Sequence, residues 1–206
     1  MKKLAIFISG SGTNMENLIK VSLANQLTDA QVTLVICDQP GAGGIQKAEK
    51  LGVPVKVVDR TRFNSKKEFE AHIFHIIEDA GIDHLVLAGY MRILSNDFVR
   101  RYMGRIINIH PSLLPAFPGA HGIKDAFDAK VKETGVTVHF VDEGVDTGPI
   151  ILQRKVAVTA AETLESLEAK VHAVEYELYP EALNLVLSGK IKMPGHHHDE
   201  EFWDKD

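Results

Sequence analysis

The chain has 206 residues, 45% of them hydrophobic and 25% charged, with a net charge of −5 and a single cysteine. This suits one α/β domain or two closely packed halves, argues against a nucleic-acid or anionic-membrane surface, and excludes an internal disulfide. The opening apolar run, Leu4 to Ile8, is too short for a signal-peptide core or a membrane span, so a cytoplasmic protein is expected.

Leu4–Ser9 is a short apolar run closed by glycine and reads as a buried strand. Thr13 to about Ala24 reads as a helix with Met15, Leu18, Ile19 and Leu23 on one stripe. Val32–Cys37 is a second buried strand, and Cys37 at its end reads as a buried thiol in a reducing compartment. Gly43 to Leu51 reads as a helix closed by Gly52, and Val55–Val58 as a third strand. Asn64 or Ser65 caps a helix whose inward face is Phe69, Ile73, Ile76, Ile77 and Ala80, ending at Gly81. Leu85–Ala88 is a fourth strand, Ser95 caps a short helix around Phe98 to Tyr102, and Ile106–His110 is a fifth strand. This βαβαβαβαβ order requires a parallel sheet with helices on both faces.

The remainder reads differently. Lys124 to Val131 is a short helix. Gly135–Val141 alternates, with Val136, Val138 and Phe140 on one face and Thr137, His139 and Val141 on the other. Ile150–Val158 follows after one loop, so an antiparallel pair and a mixed sheet are expected. The fold class is therefore α/β, Rossmann-like, mostly parallel, with an antiparallel C-terminal pair. Thr163 opens the longest helix, with Leu164, Leu167, Val171, Val174 and Leu178 as its core stripe, and Pro180 is expected to kink or divide it before Gly189. Residues 1–195 read as one domain, about 1–100 forming a nucleotide or phosphate half and about 101–195 a catalytic half, followed by a charged, His-rich tail at 196–206 expected to be loosely ordered.

Three segments carry chemistry. Asn108 and His110 sit two positions apart on a strand that Pro111 ends, so an amide and an imidazole share one face where open α/β sheets bind ligands. An Asn there can hold an oxyanion, and a His can move protons near neutral pH. Ser9-Gly10-Ser11-Gly12-Thr13-Asn14 joins the first strand to the first helix and suits a phosphate at the helix N-terminus. It lacks the lysine of a Walker loop, and Met15 stands where a dinucleotide fingerprint has its third glycine; a tight βα turn capped by Thr13 and Asn14 is an equally good reading. His139 and the loop Asp142 to Pro149 form a second candidate, although three acidic residues with two glycines and a proline also make an ordinary solvated turn. The functional reading needs Asp146 to face His110, because a carboxylate beside an imidazole favours the charged form.

Gly89 to Leu94 also follows a strand end and offers an apolar wall for a flat heterocycle, while packing into the core is the simpler reading. Ten histidines invite a metal, but no His-Glu-x-x-His motif occurs and no metal is expected. Gly10-Ser11-Gly12 lacks the spacing of a serine-nucleophile elbow.

Together, Asn108 to Pro115, the Ser9 to Asn14 loop, Met91 to Leu94 and Val145 to Pro149 resemble the formyltetrahydrofolate-dependent formyltransferases over about Lys3 to Lys192. The resemblance implies formyl transfer from 10-formyltetrahydrofolate, as co-substrate and without a metal, to the amine of glycinamide ribonucleotide in purine biosynthesis. It implies that Asn108, His110 and Asp146 are catalytic, and that Gly12, Thr13, Asn14, His172 and Glu175 hold the ribonucleotide. It further implies a folate site made by Lys66, Met91, Arg92, Ile93, Leu94, Asn108, Asp142, Glu143, Gly144, Val145 and Asp146. A homodimer is compatible with it. Water as acceptor is disfavoured because the first strand starts at about Leu4, leaving no room for a regulatory domain ahead of it. Methionyl-tRNA is disfavoured by the acidic balance, and a sugar-nucleotide acceptor is left open. A non-catalytic nucleotide-binding module would have no use for Asn108, His110 and Asp146 in one cleft.

Overall fold

The structure, a computed structural model, describes residues 1–195; the His-rich tail lies outside the described residues. The first half runs β1 (Lys2–Ile8), α1 (Thr13–Leu23), β2 (Ala30–Cys37), α2 (Gly44–Lys50), β3 (Val55–Val57), α3 (Lys66–Asp79), β4 (His84–Leu87), α4 (Asn96–Arg101) and β5 (Ile106–His110). The second half runs α5 (Gly122–Asp128), β6 (Glu133–Phe140), β7 (Ile150–Ala157) and α6 (Leu164–Leu187). One 3-10 turn at Arg60–Arg62, capped by the Asp59 side chain, was not foreseen in the sequence.

The strands form one sheet in the order β3-β2-β1-β4-β5-β6-β7. β1 to β5 pair in parallel, and the β5–β6 and β6–β7 pairs are antiparallel. The strand order reverses between β1 and β4, the switch point where α/β sheets open a ligand crevice.

Each face of the sheet has its own core. Leu4, Ile6, Ile8, Val86, Ile107 and Ile109 pack with residues of α1 and α6. Ala5, Phe7, Leu85, Leu87 and Ile106 pack with Phe69, Ile73, Phe98 and Tyr102 of α3 and its neighbours. Burial on both faces explains why these strands read as continuous apolar runs rather than alternating ones. Ile106 closes the second core on β5, and two and four positions further on the same face carries Asn108 and His110. The period-2 geometry thus converts the end of a core-facing row into a polar pair.

Ser65, Ser95 and Thr163 cap their helices, each side chain accepting from the third backbone N–H onward. Pro180 neither divides α6 nor ends it: the helix runs unbroken from Leu164 to Leu187. A proline leaves the carbonyl four residues back without its donor. Here that carbonyl belongs to Tyr176, and the Asn17 side-chain amide of α1 donates to it at 2.9 Å. A tertiary hydrogen bond thus replaces the one that Pro180 removes.

Candidate active site

A cavity of about 550 Å³ opens at the switch point, between the loops that follow β1 and β4 and the face of β5 and β6. Its size suits a small-molecule site. Gly12 begins α1 with φ at +67°, and a Cβ there would stand 2.9 Å from Met15 Cε and 3.0 Å from the Gly44 Cα. Only glycine combines that left-handed backbone with so close an approach. Met15, in the place of a third fingerprint glycine, is wholly buried and fills the space beneath the loop. Gly12, Thr13 and Asn14 all reach the cavity.

The antiparallel register sets Asn108 opposite His139 and His110 opposite Thr137. Asn108 Nδ2 lies 3.5 Å from His139 Nε2, and His139 Nδ1 lies 2.8 Å from the Phe140 carbonyl. A carbonyl only accepts, so Nδ1 carries the proton, and Nε2 of the neutral ring accepts from Asn108. Burial pushes the His139 pKa down and favours that neutral form. His110 Nε2 donates to the Phe117 carbonyl at 2.8 Å, and its Nδ1 stands 3.6 Å from Asp146 Oδ2. Both ring nitrogens of His110 therefore face oxygen acceptors. Asp146 also lies 3.9 Å from His139 Nε2 and accepts from Gly119 N at 2.9 Å. Its backbone is left-handed, φ +54°, which is strained for a residue with a side chain. Asn108, His110 and Asp146 are thus brought together. His139 completes the group. Sequence alternation places it on the correct face, but without the β5–β6 register nothing assigns it a partner.

On the opposite wall, the long helix α6 contributes His172 and Glu175. Buried Glu175 accepts from Asn14 Nδ2 at 2.8 Å and faces His172 Nδ1 at 3.2 Å. That hydrogen bond raises the His172 pKa and favours its cation beside the glycine loop. Asn14 Oδ1 is buried with no protein partner. This wall offers a cation, backbone N–H groups and an unused acceptor.

Met91, Arg92, Ile93 and Leu94 form the next wall, with residues Met91 and Ile93 72% and 65% exposed. Asp142, Gly144, Val145 and Asp146 face them across the cavity. Asp142 Oδ1 accepts from Gly144 N at 2.9 Å and Thr147 Oγ1 at 2.7 Å, which folds this loop upon itself. Gly148 is required there, since a Cβ would fall 1.7 Å from the Phe140 carbonyl oxygen. Two expected residues lie elsewhere. Lys66 borders a neighbouring cavity of about 340 Å³ behind Met91 to Leu94. Glu143 is turned outward and paired with Arg100 Nε at 2.6 Å. Among the described residues, no cluster of three or more His, Cys, Asp or Glu is arranged to hold a metal ion, and no helix is long and apolar enough to cross a membrane.

The family model described as "Formyl transferase" matches residues 2–183. Phosphoribosylglycinamide formyltransferase of Bacillus subtilis (strain 168) is 41% identical over 187 residues, covering 91% of this chain and 95% of that protein. The trifunctional purine biosynthetic protein adenosine-3 of Gallus gallus is 43% identical over 191 residues, but the chain spans only 19% of its length. The crystal structure of phosphoribosylglycinamide formyltransferase from Bacillus halodurans superposes with a TM-score of 0.88 at 47% identity, covering 92% of this chain and 97% of that one. The seven-stranded mixed sheet described above is the same fold. The matched span includes every strand and the whole cavity wall, and on that ground the chain belongs to the formyl transferase family.

Proposed function

We propose that the protein transfers the formyl group of 10-formyltetrahydrofolate to the amine of glycinamide ribonucleotide, giving formylglycinamide ribonucleotide and tetrahydrofolate. The observation that carries this reading is that Asn108, His110 and Asp146 share one cavity with a phosphate-type loop and an apolar, solvent-open clamp. A phosphorylated amine and a pterin entering from the two ends would meet at that cluster.

In this reading Gly12, Thr13 and His172 hold the phosphate, and Asn14 and Glu175 hold the rest of the ribonucleotide. Met91 to Leu94 and Asp142 to Val145 cradle the pterin, and residues 1–100 and 101–195 act as two halves of one domain. The amine nitrogen attacks the formyl carbon, and a C–N bond forms as the carbonyl π pair moves to oxygen. Asn108 donates to that oxyanion, and His110 faces it. The amine proton passes to N10 of the folate, directly or through a water held by Asp146. The C–N10 bond then breaks and tetrahydrofolate leaves. Preorganised donors of this kind are worth about a hundredfold or more in rate each. The reading places the reaction in the cytoplasm and uses no metal, nucleic acid or membrane; a homodimer is an added proposal, tested by light scattering.

The test is an assay of purified protein with 10-formyltetrahydrofolate, with and without glycinamide ribonucleotide. Formylated ribonucleotide formed in step with tetrahydrofolate is the expected result. Donor consumption at the same rate without an amine would replace this reading with hydrolysis.

A further inference from the structure

The clamp Met91 to Leu94 is an unusual wall, because cavities lie on both of its sides, about 550 Å³ in front and about 340 Å³ behind. Its Met91 and Ile93 side chains are largely in solvent. Leu94 packs against the second core and fixes the far end of the clamp, while Met91 to Ile93 have little packing and need a different device.

That device is a polar node at the C-terminal ends of β2 and β1. Asp38 follows β2 and is only 2% exposed. Its Oδ1 accepts from Ser9 Oγ at 2.6 Å and its Oδ2 from Arg92 Nε at 2.7 Å. Ser9 Oγ in turn accepts from the Met91 backbone N–H at 2.9 Å. The Arg92 guanidinium also lies 5.5 Å from the ring centre of buried Phe69. The first two residues of the clamp are thus tied, one by backbone and one by side chain, to a single buried carboxylate. Charge-assisted hydrogen bonds are the strong ones, and a water-poor setting strengthens them further.

We infer that Asp38 is a positioning residue for the folate site, holding the Met91–Leu94 clamp through Arg92 and through Ser9 while touching neither substrate. The inference rests on the proposed formyl transfer for the identity of the ligand, but the anchoring itself is independent of it. Asp38→Ala removes the Arg92 anchor outright and leaves Ser9 Oγ without the acceptor that orients it toward the Met91 N–H. Asp38→Asn keeps a hydrogen-bonding group of the same shape: its oxygen still accepts from Arg92, and its amide donates to Ser9, whose oxygen has a second lone pair.

Two measurements test this. Hydrogen exchange on the protein without ligands reads the anchoring: Asp38→Ala should speed exchange across residues 89–94, and Asp38→Asn should leave it near wild type. Steady-state kinetics read the consequence: Asp38→Ala should raise KM for 10-formyltetrahydrofolate about tenfold, the loss expected for one charged hydrogen bond, with KM for glycinamide ribonucleotide within about twofold. Asp38→Asn should recover most of that loss. Ser9→Ala, which removes the Met91 tie and one donor to Asp38 but keeps the Arg92 tie, carries the same test and should raise the folate KM alone. Unchanged exchange at 89–94, or an equal rise in both KM values, would overturn the inference. A wild-type protein that transfers no formyl group would remove the proposed function while leaving the exchange result to decide the anchor.

Discussion

Asn108 donates to His139 across the antiparallel β5–β6 pair, Nδ2 to Nε2 at 3.5 Å. The proton on His139 Nδ1 is committed to the Phe140 carbonyl, so the acceptor face of the ring is fixed. This contact sets which way the Asn108 amide points, and hence where its second N–H can meet an oxyanion. His139→Ala should lower kcat by about tenfold to a hundredfold, as small displacements of a catalytic group do, with KM values little changed. His139→Gln, which retains an acceptor, should recover part of the loss.

Asn108→Ala and His110→Ala should each lower turnover by about a hundredfold or more. Half-buried Asn108 lies outside both cores, so Asn108→Ala should keep the unfolding midpoint within about 2 °C of wild type, whereas His110→Ala gives up the bond to the Phe117 carbonyl and should lower it by about 2–6 °C while leaving the fold intact. Wild-type rates in both purified variants would remove them from the mechanism.

Asp146 combines a left-handed backbone with a carboxylate placed 3.6 Å from His110. Asparagine tolerates the same backbone and can still accept from Gly119 N, but carries no charge. Asp146→Asn should therefore keep the fold and lose about a hundredfold in kcat. Circular dichroism and a kcat measurement on the same sample separate the two effects.

The site histidines should mark the pH dependence of stability with opposite signs. Burial holds His139 below its ordinary value of 6.5, so the unfolded chain takes up a proton that the native state resists. That contribution is complete above about pH 6.5 and is lost as pH falls toward the lowered native value. The Glu175 hydrogen bond holds His172 above 6.5, so its contribution is complete below about 6.5 and is lost as pH rises through the raised native value. Thermal melts between about pH 5 and pH 8 should show His139→Gln flattening the acid limb and His172→Gln flattening the alkaline limb.

Asn17 and Pro180 should be energetically coupled. Asn17→Ala leaves the half-buried Tyr176 carbonyl without a donor and should cost about 1 kcal/mol. Pro180→Ala restores a helical N–H for the same carbonyl, so in that background Asn17→Ala should cost little. A double-mutant cycle in urea measures the difference, and additive costs would refute the link.

The strands were legible in the sequence because burial on both faces leaves near-continuous apolar runs, and Ile106–His110 is found as read. Asn108 and His110 were legible for a related reason: strand period 2 fixes their common face without knowledge of any neighbour. What escaped depends on contacts remote in sequence. Asn17 and Tyr176 are 159 residues apart, so the unbroken course of α6 past Pro180 could not be read locally. Asp38 looks like an ordinary loop acid until β2, β1 and β4 are set side by side. Lys66 and Glu143 carry the expected charge, but charge does not tell which of two adjacent cavities a side chain borders, or whether Arg100 claims it first.

Tyr179 of α6 is wholly buried, and its hydroxyl lies 2.6 Å from the Leu87 carbonyl and 3.1 Å from the Ile107 carbonyl. The helix that bears His172 and Glu175 is thereby pinned to the two strands that lead into the Met91 clamp and Asn108. The spacing between the two ends of the cavity is set as the chain folds and is already in place when a ligand arrives. Little ordering of the framework is left for the encounter, and differences in affinity among ligands should come from how long each stays rather than from how often the cavity is ready.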